Sequence, residues 1–195
     1  SRQARKILDD AGLTDCSIVA SNSFDEYLIR SVVNEGACID SFGVGERLIT
    51  AKSQPVFGGV YKLVGLEDKE GNIIPKIKVS ENLEKITNPG YKKLYRFIDR
   101  KSGKMLADVI ALADEEMPVG EGGAPYEIFD PEHVWKRKLL TDYRCEELQV
   151  QVFEHGKLVY DAPDLEEIKA FCKEQVELLW SEIKRFENPH SRATC

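Results

Sequence analysis

The first fifty residues alternate amphipathic helix and short apolar strand with connections of only a few residues, and that order restricts the possible folds more than any other feature. Arg2 to Ala11 places Ala4, Ile7, Leu8 and Ala11 on one helical face, and Gly12 is a natural stop. The front turn of this helix is basic (Arg2, Arg5, Lys6) where the dipole favours acids, and Ser1 is the sole candidate cap, so the helix is expected to begin upstream of residue 1. Ser17-Ile18-Val19-Ala20 reads as a short buried strand. Ser23 with Glu26 forms a capping-box pattern, and Leu28, Ile29, Val32 and Val33 then give an amphipathic helix closed by Gly36. Ala37 to Phe42 is the next strand. Such alternation builds parallel sheets, open or closed into a barrel, whose ligands lie beyond the carboxyl ends of the strands.

Two segments lie at such ends: Ser21-Asn22, and Gly43-Val44-Gly45 running into Glu46. A glycine turn that opens a helix leaves several backbone N–H groups unpaired at one place and lets an anion approach them closely. Ser41 could add a hydroxyl donor. A plain strand-to-helix turn would use the same glycines, and it is the position at two neighbouring strand ends that favours a phosphate seat.

After Val60 the periodicity changes. Val60 to Leu66 and Ile73 to Val79 read as an antiparallel hairpin turning at Asp68 to Asn72. Lys92 to Ile98 and Met105 to Leu112 read as another. The alternation of Tyr95 and Phe97 with Leu94 and Arg96 marks a half-buried strand rather than a base-stacking surface. Met117 to Pro125, with Gly120, Gly122 and Gly123, reads as a flexible connector, since no Gly-Lys-Ser/Thr follows to make it a nucleotide loop. Beyond it, Leu148 to Phe153 with Leu158 to Tyr160 read as a strand pair turning around His155, followed by a long helix. That helix is capped by Asp164 and Glu167 and carries Leu165, Ile168, Cys172, Val176, Leu179, Ile183 and Phe186 as far as Asn188-Pro189. The chain therefore divides into residues 1–66 (phosphate-binding α/β), 67–117 (antiparallel β) and 118–195 (α+β with the long helix).

The net charge of −7 on 195 residues disfavours a nucleic-acid binder. Within it, residues 76–104 hold nine Lys/Arg against three acids, a local +6 that suits either an anionic ligand or exposed strand faces. Five widely spaced cysteines without a C-x-x-C pair suggest neither a disulfide framework nor a zinc site, and three scattered histidines show no metal-ligand spacing. No apolar run reaches membrane-spanning length and no signal-peptide pattern is present, which makes the cytoplasm the expected compartment.

Ala20-Ser21-Asn22, Asp25-Glu26, Ile39 to Gly45 and Gly58-Gly59-Val60-Tyr61-Lys62-Leu63-Val64 together resemble the later part of nicotinate phosphoribosyltransferase. Lys78-Val79-Ser80 with Lys85 resembles the family's K-x-S…K element, Asp130-Pro131 through Lys138 a segment of its longer bacterial members, and Asn188-Pro189-His190 its terminal N-P-H. The resemblance implies the last βα units of an irregular α/β barrel packed on a second domain, in a homodimer. It implies an enzyme of NAD salvage that joins nicotinate to phosphoribosyl pyrophosphate, with coupled ATP hydrolysis and Mg as a partner of the phosphates but no tightly bound cofactor. In that scheme Ser21, Asn22, Ser41, Gly43, Val44, Gly45 and Glu46 bind the 5′-phosphate, and Lys78, Ser80 and Lys85 are candidates for pyrophosphate or ATP phosphates. The nicotinate-holding groups and the phosphorylated histidine of the family fall upstream of residue 1, so the 195-residue polypeptide is expected to be inactive alone. Glu46 stands where some relatives have Thr, and Ser191 to Cys195 departs from the family's ending, as a truncated or frameshifted terminus would. The alternatives are another phosphate-binding α/β-barrel phosphoribosyltransferase and a non-catalytic assembly fragment.

Overall fold

Arg2 and Arg5, badly placed for the dipole of their own helix, are used elsewhere. In a computed structural model describing residues 1–56, 58–81, 86–131 and 133–190, helix α1 (Arg2–Asp10) has Ser1 as its N-cap without a side-chain capping bond. Ser1 Oγ instead accepts the Cys38 N–H at 3.1 Å. The Arg5 guanidinium donates to the Cys16 and Leu13 carbonyls at 2.6 and 2.8 Å, which folds the loop onto the helix. Arg2 donates to the carbonyls of Glu35 and Gly36, just past the end of a second helix, where unpaired carbonyls attract cations.

Strand β1 (Val19–Ser21) precedes that second helix, α2 (Glu26–Asn34), and β2 (Ser41–Gly43) follows it, leading to the single-turn α3 (Glu46–Ile49). The N-cap of α2 is Asp25, whose carboxylate accepts the Leu28 N–H at 2.8 Å, and not Ser23 as the capping-box pattern suggested. Ser23 has φ +48° and belongs to the bend that precedes the helix. β1 and β2 pair in parallel. Asp40 locks the start of the ladder: its carboxylate accepts the Ile18 N–H at 2.6 Å and its own N–H donates to the Ile18 carbonyl at 2.9 Å. These elements make up one of two compact units, Ser1–Tyr61 and Lys62–Cys195. None of the first unit's described residues is buried, and Val19 of β1 is 64% exposed.

The second unit is antiparallel. β3 (Gly65–Glu67) and β4 (Ile73–Pro75) form the expected hairpin in a shorter version. Its turn is closed by the Asp68 carboxylate, which takes the Asn72 side-chain amide and the Glu70 and Asn72 N–H groups, bonds that hold its pKa below the usual carboxylate value. β5 (Lys92–Asp99) and β6 (Met105–Leu112) form the second predicted hairpin. They share a four-stranded sheet, in the order β6-β5-β10-β7, with β7 (Gly120–Glu121) and β10 (Tyr143–Glu147). The glycine-rich stretch read as a flexible connector is therefore the sheet's edge. Gly123 packs so tightly on Tyr143 that a Cβ there would lie 2.7 Å from the phenol oxygen, and that hydroxyl donates to the Ala124 carbonyl at 2.6 Å. Another hairpin, β8 (Tyr126–Phe129) with β9 (Arg137–Leu140), was not foreseen. The loop between its strands includes His133 and Trp135, whose rings meet edge to face at 5.1 Å.

The core follows the period-2 pattern. Tyr95, Phe97, Ala107, Val109, Ile128, Leu140, Tyr143 and Cys145 are buried together, with Phe97 edge-on to Tyr143 at 4.9 Å. β11 (Phe153–Glu154) and β12 (Lys157–Leu158) pair across a turn with His155 and Gly156 at φ +45° and +77°, as the position of His155 suggested.

Helix α4 (Leu165–Glu177) has the full capping box of Asp164 and Glu167 but stops well short of Asn188. Apolar periodicity continues beyond it; tertiary contacts end it. The Met105 N–H donates to the Leu178 carbonyl at 2.9 Å, the Trp180 indole donates to the Met105 carbonyl at 2.7 Å, and Lys104 Nζ donates to the Glu177 carbonyl at 2.6 Å. Arg96 grips Asp108 through two bonds of 2.8 and 3.0 Å and donates to Gln175 of α4 at 2.6 Å. Much of the basic segment is thus occupied internally: Lys92 donates to the Asn88 and Gly90 carbonyls, Lys93 pairs with Glu147, and Arg100 with Glu121.

Two outcomes follow for this unit. Phe97→Ala is expected to destabilise it by about 3–5 kcal/mol in urea denaturation, the cost of removing a buried aromatic ring and leaving a cavity. Burial pushes the Cys145 thiol up to about 11. Alkylation at pH 8 followed by peptide mass analysis should modify the exposed Cys16 and Cys172 and spare Cys145 until the protein unfolds.

Candidate functional site

The parallel register fixes what stands at the carboxyl ends of β1 and β2. Val19 lies opposite Ser41, Ala20 opposite Phe42, and Ser21 opposite Gly43. This approach depends on the glycine, because a Cβ on Gly43 would lie 3.0 Å from Ser21 Oγ and 3.1 Å from Ser21 Cβ. Immediately after Ser21 the chain takes two consecutive non-glycine residues at positive φ, Asn22 at +138° and Ser23 at +48°. Such conformations cost about 1–3 kcal/mol each and concentrate at functional sites.

Past Gly43 the backbone turns through Val44 and Gly45, the latter at φ −105° and ψ −110°, into α3. Among the described residues no carbonyl accepts the N–H of Val44, Gly45 or Glu46. The Gly45 Cα faces open space. Three consecutive amides are therefore without a carbonyl partner among the described residues. With only four residues, α3 contributes little macrodipole to this turn.

The Glu46 carboxylate bends toward Lys52, with Oε1 3.4 Å from Nζ, and its side chain is 73% exposed. Arg47 does not face an open anion seat: its guanidinium is bonded to Asp25, the N-cap of α2. Beside that pair the Phe24 and Phe42 rings meet edge to face at 5.2 Å.

Ser21, Asn22, Gly43, Val44, Gly45 and Glu46 thus come together at one end of the parallel pair. Ser41 opens β2 rather than ending it, two residues back from Gly43. Lys78 and Ser80 belong to the second unit, in the irregular segment after β4, with Lys78 exposed and Ser80 half-buried. Lys85 lies outside the described residues. A groove lined by Arg2, Ala20, Val32, Ala37 and Ile39 contains none of the turn residues 43–46. Sequence reasoning missed Asp25 and Arg47 as partners, since a pair 22 residues apart leaves no local spacing signal. Among the described residues, no group of three or more His, Cys, Asp or Glu could hold a metal ion, and no helix is long and apolar enough to cross a membrane.

A mixed α/β chain with a parallel strand pair followed by antiparallel sheets is a broad class, and comparison with known proteins narrows it. The fold is similar over 99% of this chain to a crystal structure of human nicotinic acid phosphoribosyltransferase, with a TM-score of 0.63 at 23% identity and 33% of that chain covered. Nicotinate phosphoribosyltransferase from Bacillus subtilis (strain 168) is 40% identical over 189 residues, and that from Dictyostelium discoideum 34% over 178. Residues 91–192, just over half of the chain, match the family model described as nicotinate phosphoribosyltransferase C-terminal domain, and the chain belongs to that family. The match takes in 97% of this chain but 38% of the Bacillus protein, and 89% but 29% of the Dictyostelium protein.

Gly43→Ala should force β1 and β2 apart, destabilise the first unit by about 1–3 kcal/mol of overpacking and so lower its melting temperature. Combination with Ser21→Gly, which removes both clashing atoms, should recover part of the loss; no loss in the single variant would contradict the close-approach role of Gly43.

Proposed function

We propose that this chain is the part of a nicotinate phosphoribosyltransferase that holds the 5′-phosphate of phosphoribosyl pyrophosphate, on the main-chain amides of Val44, Gly45 and Glu46 beside Ser21 and Asn22. The reading rests on one observation above all, N–H groups that no described residue claims at the adjoining carboxyl ends of a parallel strand pair. In the reaction the nicotinate ring nitrogen bonds to the ribose anomeric carbon while the bond from that carbon to pyrophosphate breaks, pyrophosphate leaving with the electron pair. An oxocarbenium-like transition state of this kind depends chiefly on positioning and on groups that hold anions in place. Amides fixed at the distant phosphate anchor the ribose.

The same proposal assigns residues 1–66 to the last βα units of an α/β barrel, 67–117 to the antiparallel return into a second domain, and 118–195 to the terminal α+β section. A two-strand parallel pair with exposed residues on its strands supports the first assignment, since parallel sheets are normally covered on both faces. Lys78, Ser80 and Lys85 are proposed for pyrophosphate or ATP phosphates, and ATP hydrolysis, Mg, a homodimer and a cytoplasmic setting complete the scheme. Nicotinate and the phosphorylated histidine are assigned to residues outside this chain.

Titration of inorganic phosphate into the 15N-labelled chain is expected to move the Val44, Gly45 and Glu46 amides saturably while leaving Phe97 and Cys145 unshifted. Uniform or absent shifts would remove the proposal's footing. Glu46→Gln, which takes a negative charge away from the turn, should tighten phosphate binding by about twofold to fivefold, the size of a screened charge interaction near the surface. With nicotinate, phosphoribosyl pyrophosphate and ATP, the 195-residue polypeptide alone should yield no nicotinate mononucleotide; detectable product would contradict the assignment of the remaining groups elsewhere.

A further inference from the structure

We infer that Asp25 and Arg47 are positioning residues that set the conformation of the 43–46 turn, so that the turn binds an anion through its amides and not through the Arg47 guanidinium. This rests on the phosphate-site reading above. The Asp25 carboxylate is committed at both oxygens: Oδ1 accepts the Leu28 N–H at 2.8 Å, and Oδ2 receives the Arg47 guanidinium. Its side chain is only 19% exposed, with Arg47 at 39%, whereas Glu46 and Lys52 in the neighbouring pair are 73% and 54% exposed. A carboxylate already immobilised as an N-cap loses little further freedom on pairing, so this contact holds more firmly than an ordinary surface ion pair.

The attachment points explain the consequence. Arg47 is the second residue of α3, directly after Glu46, and fixing its side chain fixes the roll of that turn and with it the direction of the Glu46 N–H. On the other side, Phe42 immediately precedes Gly43 and its ring rests on Phe24, the neighbour of Asp25. Both flanks of the turn are therefore tied to the two-residue segment 24–25. Only the interior, with two glycines, is left without a side-chain strap. Since Arg47 is neutralised by Asp25, it adds no net positive charge to the seat.

The competing role for Arg47, direct ligand of the anion, predicts the opposite sign for one substitution. Asp25→Asn keeps a good N-cap for α2 while removing the charge that holds Arg47. If Asp25 positions the turn, the variant shifts the Val44, Gly45 and Glu46 amide resonances in the absence of any ligand, leaves Phe97 and Cys145 unmoved, and binds inorganic phosphate about threefold to tenfold more weakly. Arg47→Gln should do the same, the double variant should be no weaker than either single one, and Arg47→Lys should recover part of the affinity. Tighter phosphate binding by Asp25→Asn, from a released Arg47, would overturn the inference, as would unchanged turn resonances. The ligand-free resonances separate the two readings: wild-type chain that binds no phosphate at the turn defeats the proposed function, while the response of those amides to Asp25→Asn still decides the positioning role.

Discussion

Ser21 and Gly43 lie side by side because one of them lacks a Cβ, and the rest of the first unit depends on that contact. With β1 and β2 in this register the chain leaves both strands at the same level. One exit goes through two residues at positive φ and the other through a glycine turn whose amides meet no carbonyl among the described residues. Asp40 at the start of the ladder and Asp25 with Arg47 beyond its end hold the two strands in that register. The interactions that shape the candidate site are mostly polar and join residues far apart in the sequence, and none of the described residues of this unit is buried.

The second unit is organised differently. Its stability comes from a sheet with one well-filled face, where Phe97, Tyr143 and Leu140 exclude water, and from a partly buried Arg96–Asp108 pair that extends to Gln175 of α4. Removing either partner of such a pair strands a charge in a sheltered place, so the sheet and the helix are linked through one guanidinium. Several other cations of the basic segment are engaged internally as well, Lys92 and Lys104 on carbonyls and Lys93 and Arg100 on carboxylates. A local excess of positive charge therefore reports on the architecture here as much as on any ligand.

Legibility in the sequence tracked the range of the interactions. The Asp164–Glu167 capping box, the β5–β6 hairpin with Tyr95 and Phe97 inward, and the His155 turn are encoded within a few residues and were readable. So was the glycine turn after β2. The N-cap of α2 was misplaced because Ser23 and Asp25 both fit a cap and only the backbone bend at Asn22 and Ser23 selects between them. The end of α4 was overextended since nothing near Leu178 reveals that its carbonyl pairs with Met105. Strands as short as Arg137–Leu140 and Gly120–Glu121 carry almost no pattern of their own and take their conformation from the strands they join. The Asp25–Arg47 pair was hidden for the same reason.

The central claim concerns where an anion sits, and a crystal structure of the chain with ribose 5-phosphate tests it most directly. The account predicts the phosphate oxygens within hydrogen-bond distance, about 3 Å, of the Val44, Gly45 and Glu46 nitrogens, with Arg47 still on Asp25. Phosphate bound elsewhere, or those three amides turned onto neighbouring carbonyls, would contradict it.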